Sequence, residues 1–246
     1  MKRRQALIST GLFPFSIGLL KNMSGYVESI PNDLTVVFQG DSITDAGRKR
    51  AQYYANDTWG GLGTGYACCV AQHLLGTMPE KNIRCYNRGI SGHKVHQLAN
   101  RWDDDCLNLK PDVLSILIGV NDYWHTLTHG YKGTINTYKK DYDSLLDRTK
   151  SELPDVKLII LEPFVLKEGT AIVEEDWLPM FDEYRRTSKE LAGKYNAQFV
   201  PFQTIFDDAL EKADTSYWCP DGVHPSLGGA YLMAQGWLEA FSKLKF

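Results

Sequence analysis

The chain has 246 residues, 43% hydrophobic and 23% charged, with a formal net charge of −3, which suits one globular α/β domain with a sizeable core. An acidic body without a Lys/Arg cluster argues against nucleic acid and anionic lipid as partners. The five cysteines, Cys68, Cys69, Cys85, Cys106 and Cys219, form no C-x-x-C pair, so they provide neither a zinc site nor a disulfide scaffold and read mostly as buried thiols.

The first 25 residues, "MKRRQALISTGLFPFSIGLLKNMSG", stand apart. Lys2, Arg3 and Arg4 precede an apolar run from Ala6 to Leu20 and a short polar stretch. That is the layout of an export signal, and the run is short for a membrane span. The Arg3-Arg4 pair hints at a twin-arginine signal, and no clean A-x-A marks the cut. A retained N-terminal helix or anchor is the competing reading. Removing residues 1–24 takes away four basic residues and no acidic ones, which leaves a formal charge of −7. The expectation is an exported, periplasmic or secreted bacterial protein whose single folded domain covers residues 30–246, without a membrane-spanning domain.

Past the signal, strand-like and helix-like segments alternate. "LTVVFQG", "NIRCYNRG", "DVLSILIG", "VKLIILEPF" and "AQFVPF" are the five strand candidates, the third being continuously apolar. Helical periodicity fills Gly65–Gly76, Val95–Leu109, Thr134–Glu152, Pro179–Tyr195 and Leu227–Leu244. Pro111 and Pro154 sit just before strands three and four, as helix stops. Such alternation predicts a parallel sheet covered on both faces, with ligands outside the carboxyl ends of its strands.

The strand ends carry the chemistry. Strand one ends in Gly40-Asp41-Ser42, strand two in "NRGISGHKV", and strand three in "GVNDYW". The loop before the last helix reads "WCPDGVHPSLGG", with Asp221 three residues ahead of His224. A serine hydroxyl is a poor nucleophile until an imidazole can take its proton, and the imidazole needs a carboxylate to fix its tautomer. Ser42, His224 and Asp221 supply that set. A tetrahedral oxyanion needs donors aimed at the developing charge, and the Ser42 and Gly92 N–H groups and the Asn121 amide can supply three. Each residue is ordinary alone, Ser42 as a cap or turn residue and Asn121-Asp122 as a helix cap. Four separate loops each supplying a part of one mechanism decide for catalysis.

These segments resemble the four blocks of the SGNH (GDSL-type) hydrolases. "GDSITD" matches the first block with Ser42 as nucleophile, "NRGISG" the second with Gly92, "IGVND" the third with Gly119 and Asn121, and "DGVHPS" the last with Asp221 and His224. The resemblance implies a flavodoxin-like three-layer α/β/α sandwich with a five-stranded parallel sheet in the order 2-1-3-4-5. It also implies ester hydrolysis without metal or other cofactor. "GDSITDAGR", "GGLGTGY", "NRGISGHKVHQLANRW" and "IGVNDYW" further resemble bacterial carbohydrate esterases that include SGNH-type acetylxylan esterases. In that branch the substrate is a sugar O-acetyl ester and homo-oligomers are common; its members are often intracellular, so an export signal is a departure.

Trp59, Tyr66, Tyr123, Trp124, Tyr217 and Trp218 fall beside motif loops, where exposed rings could stack on sugars. Trp124 and Trp218 are taken as substrate-binding, whereas Tyr66 reads as core. Asp41 and Asp45 flank the serine and hold its loop by accepting backbone N–H bonds; Asp41 is also counted as a substrate contact. Arg48 either anchors a carboxylate or meets substrate. His93, His96, His125 and His129 lack an H-E-x-x-H pattern or acidic cluster and read as solvent-facing or hydrogen-bonded. The expected substrate is a small-molecule or oligosaccharide ester with a short acyl group, most simply acetyl. The rivals are a lipid- or thioester-directed esterase of the same type and a glycan-binding module that has lost catalysis.

Overall fold

The computed structural model describes residues 28–49 and 58–246, so the expected export signal lies outside the described residues. Five strands, β1 (Thr35–Gly40), β2 (Arg84–Asn87), β3 (Val113–Leu117), β4 (Lys157–Leu161) and β5 (Gln198–Val200), form one sheet in the order β2-β1-β3-β4-β5. All four pairings are parallel, with Phe38 opposite Ser115 and Ser115 opposite Ile159 in the central register. Every residue of β1 and β3 is buried. A strand covered on both faces needs apolar side chains on both, which is why these two read as continuous runs.

Twelve helices follow in chain order among the described residues: α1 (Ser42–Asp45), α2 (Trp59–Leu62), α3 (Tyr66–Thr77), α4 (Val95–Ala99), α5 (Trp102–Asp105), α6 (Val120–Thr128), α7 (Ile135–Glu152), α8 (Glu174–Trp177), α9 (Met180–Lys194), α10 (Phe202–Leu210), α11 (Thr215–Trp218) and α12 (Leu227–Phe241). α12 packs on α3, α10, β4 and β5, while α7 packs on α4 and α9. The sheet is therefore the middle of three layers. On one face the Phe38 ring lies 5.4 Å from Trp237 of α12 and 6.0 Å from Tyr66 of α3. Trp237 also donates its indole N–H to Ser115 Oγ at 2.9 Å, which satisfies the buried hydroxyl in the middle of β3. On the other face Gln39 donates to Asp105 O at 2.7 Å, and Trp102 donates to Thr149 Oγ1 of α7 at 3.0 Å.

Two expectations about elements are corrected. The helix expected over Val95–Leu109 is two short helices and a 3₁₀ turn. Arg101 leaves the helical backbone (φ −122°, ψ 13°), and its guanidinium bonds Asp105 Oδ2 at 2.5 Å and Arg88 O at 2.7 Å. Anchoring the exit of β2 thus prevails over a straight helix. The last strand stops at Val200, and Phe202 opens α10. Pro201 between them has no N–H for the sheet. The four other helices expected from periodicity lie within one to three residues of α3, α7, α9 and α12.

Candidate active site

The site grows from the exit of β1. A Cβ on Gly40 would lie 2.4 Å from Thr44 Oγ1 and 2.5 Å from Leu117 O, so only glycine lets the chain turn here against β3. Asp41 follows as the N-cap of α1, its Oδ1 accepting the Ile43 N–H at 3.0 Å. Because Asp41 fills the capping role, the Ser42 hydroxyl is left for other bonds. The expected substrate contact at Asp41 is corrected by its position: the residue is completely buried and has no surface for a ligand to touch. Burial pushes its carboxyl up to about 7, opposed by the Ile43 bond and the nearby His224.

The turn before α12 brings two further groups to Ser42. The Ser42 hydroxyl is 2.8 Å from His224 Nε2, and His224 Nδ1 is 2.6 Å from Asp221 Oδ2. The other carboxylate oxygen accepts the Val223 and His224 N–H groups at 2.8 and 2.7 Å, which pins the turn. Partial burial raises the Asp221 pKa, but the bonds from the imidazole and the two backbone donors outweigh it and bring the group down to about 2. The bond to Asp221 in turn raises the His224 pKa above its ordinary value, against desolvation that would lower it. Behind this turn the segment after β4 forms a brace. Leu166 N–H donates to Gly222 O at 2.8 Å, and Ala171 N–H to Asp221 O at 3.0 Å.

A third set of bonds ties the β2 exit to α1. Ile90 N–H donates to Gly40 O at 3.1 Å, and Asp45 Oδ2 accepts both Ser91 N–H and Ser91 Oγ–H at 3.0 and 2.9 Å. Arg48 donates Nε–H to Gly89 O at 2.8 Å, so it anchors this loop. Gly92 then takes a positive φ of 81°, and its N–H has no hydrogen-bond acceptor among the described residues. Asn121, buried in the first turn of α6, donates its amide to His93 O at 3.3 Å. The loops of Ser42, Gly92, Asn121 and His224 are thereby joined at the carboxyl edge of the sheet.

Comparison with known proteins accords with this arrangement. The family model for the GDSL-like Lipase/Acylhydrolase family matches residues 38–231. The chain belongs to that family. It is 37% identical over 209 residues to an acetylxylan esterase of Geobacillus stearothermophilus, covering 83% of this chain and 92% of that protein. Among solved structures, a protein assigned to the GDSL-like lipases from Parabacteroides merdae is 51% identical with a TM-score of 0.84, covering 86% of this chain and 96% of that one. The Geobacillus acetylxylan esterase Axe2 is 32% identical with a TM-score of 0.77, covering 88% and 97%. Solved catalytic mutants of Axe2 replace a serine, an aspartate and a histidine by alanine, the last two lying three residues apart. As a member of this family the chain is a carboxylic ester hydrolase.

Around the Ser42–His224–Asp221 chain of this GDSL hydrolase, the expected aromatics divide. The half-buried Trp124 ring lies 6.3 Å from the His224 ring. Trp218 is also half-buried, and its indole N–H is shared between Ala209 O and Ala213 O, both at 3.1 Å. Its carbonyl accepts the Ser226 N–H at 2.8 Å and so supports the start of α12. Tyr66 is core, as expected. Asp122 accepts the Val95 N–H at 3.2 Å and so caps α4. All five cysteines are free thiols, four of them buried. Among the described residues no group of three or more His, Cys, Asp and Glu side chains is placed to hold a metal ion. A cleft at the opposite edge of the sheet, lined by Pro31, Pro111, Asp112, Pro154, Lys157 and Phe246 among others, has no serine, cysteine or histidine in its lining. Sequence reading missed Asn87, whose buried amide donates to Thr44 O at 2.6 Å and Leu62 O at 2.8 Å. It stands at the head of the second motif block, and that place was its only signal.

Proposed function

We propose that this hydrolase removes short acyl groups, most simply acetyl, from a carbohydrate by way of an acyl-enzyme on Ser42. The observation that carries the reading is the unbroken chain of hydrogen bonds from the Ser42 hydroxyl through His224 to Asp221. The similarity to acetylxylan esterases supports the substrate class. In the first half-reaction Ser42 Oγ bonds to the ester carbonyl carbon as its proton passes to His224 Nε2. The carbonyl electron pair moves to oxygen, where the Ser42 and Gly92 N–H groups and the Asn121 amide receive the charge. When the intermediate collapses, the bond to the sugar oxygen breaks and His224 returns the proton to that oxygen. Water then attacks the acyl-serine by the same route and releases the acid. Asp221, ionised throughout, keeps the proton on His224 Nδ1 and stabilises the imidazolium.

Trp124 stands beside His224 where it can form one wall for the sugar. The basic and apolar head of the sequence supports export of the enzyme to external glycans; no helix of the described residues is long and apolar enough to cross a membrane. The test is acetate release from acetylated xylan and other acetylated glycans, with Ser42→Ala as control. Release that vanishes in the variant, at unchanged melting temperature, supports the reading. Cleavage of octanoyl or thioester substrates in preference to acetyl sugars would move it to the lipid- or thioester-directed alternative.

A further inference from the structure

Outside the groups already given roles, one cluster borders the reaction centre. His125 lies on α6 one turn beyond Asn121, so the two side chains share a face of the helix. A Cβ built on Gly92 would sit 3.8 Å from His125 Cε1, which places the imidazole directly against the glycine of the second block. Lys94, at the N-terminus of α4, has its Nζ 3.0 Å from His125 Nδ1. An ammonium has only donors, so Nδ1 must accept and the ring proton belongs on Nε2. Lys94 is itself only 9% exposed, sits 5.1 Å from the centre of the Tyr131 ring and feels the charge of Asp122. It is thus built into the wall beside His125. The imidazole is half-buried, and its Nε2 has no partner among the described residues. Desolvation, Lys94 and His129 together bring the His125 pKa down to about 4, so the ring stays neutral wherever the enzyme would work.

A fixed, uncharged donor thus stands beside both Gly92 and Asn121. A polar donor gives a hydrocarbon chain nothing to bind. Resting on the carbohydrate-esterase reading, we propose that His125 determines specificity by donating its Nε2–H to a hydroxyl of the sugar that carries the ester, with Lys94 as the positioning residue that fixes the tautomer.

The measurement is the ratio of kcat/KM for an acetylated xylo-oligosaccharide to that for 4-nitrophenyl acetate, which has no hydroxyl to offer. His125→Phe keeps a ring of similar shape without the donor and should lower the ratio about tenfold, mainly through KM for the oligosaccharide. His125→Gln places an amide N–H near Nε2 and should hold the ratio within about threefold of wild type. Lys94→Met should lower the ratio several-fold, and Lys94→Arg, which keeps a donor, should retain it. If His125→Phe melts far below wild type, His125→Leu takes its place. Equal losses on both substrates, or no change in the ratio, would overturn the assignment. Wild type that cleaves the aryl acetate but no acetylated sugar would instead sink the carbohydrate reading and this inference with it.

Discussion

In the proposed mechanism the neutral Ser42 hydroxyl becomes a nucleophile through the two residues behind it. Asp221 is brought down to about 2 and is ionised at any working pH. Its bond raises the basicity of His224, which must be neutral to accept the serine proton. The sign follows: kcat/KM rises as pH climbs through the His224 pKa, which lies above the ordinary histidine value. A profile flat from pH 5 to 9 would count against His224 as base. In Asp221→Asn the carboxylate charge is gone and the amide can present its N–H to Nδ1, which favours the wrong tautomer. The expected result is a fall in kcat on the order of 10⁴-fold, with the remaining inflection moved to lower pH. A pH–rate profile of that variant checks both parts, and near-wild-type turnover would refute the orienting role.

At the level of elements, the informative piece is α1, a single turn too short to persist on its own. It is held by Asp41 at its cap, by Asp45 through Ser91, and by Asn87, whose amide serves Thr44 O, Leu62 O and Gly89 N–H together. Asn87→Ala leaves all three without that partner in a buried place. It should cost about 1–3 kcal/mol, measured by urea denaturation, and should lower activity at temperatures where the rest of the fold persists. A variant as stable as wild type would show that α1 needs no such brace. The periodic helices α7, α9 and α12 were legible because each shows one apolar stripe over many residues. The break at Arg101 and the one-turn helices were not, because long-range bonds from single side chains decide them.

For the whole molecule, the sheet is stable only because both faces are covered. Trp237 joins the layers, packing on Phe38 and bonding Ser115 in the middle of β3. Trp237→Ala removes the ring and the indole N–H that Ser115 Oγ accepts, at a cost of about 3–5 kcal/mol by calorimetry or denaturant titration. The midpoint of the pH–rate profile should stay where it is, since the site lies at the strand ends. A shifted midpoint would mean that core packing also sets the His224 environment. By itself the sequence determined the alternation of strands and helices, the parallel sheet it requires and the motif loops that carry Ser42, Gly92, Asn121, Asp221 and His224. These are local patterns of apolar period and residue type, which a chain displays before it folds. Only the tertiary structure decided that Asp41 is sealed away from ligand, that Arg48 anchors Gly89, and that Lys94 Nζ lies against His125 Nδ1. Each of those depends on which loops meet at the sheet edge, and bonds between residues tens of positions apart leave no period to read.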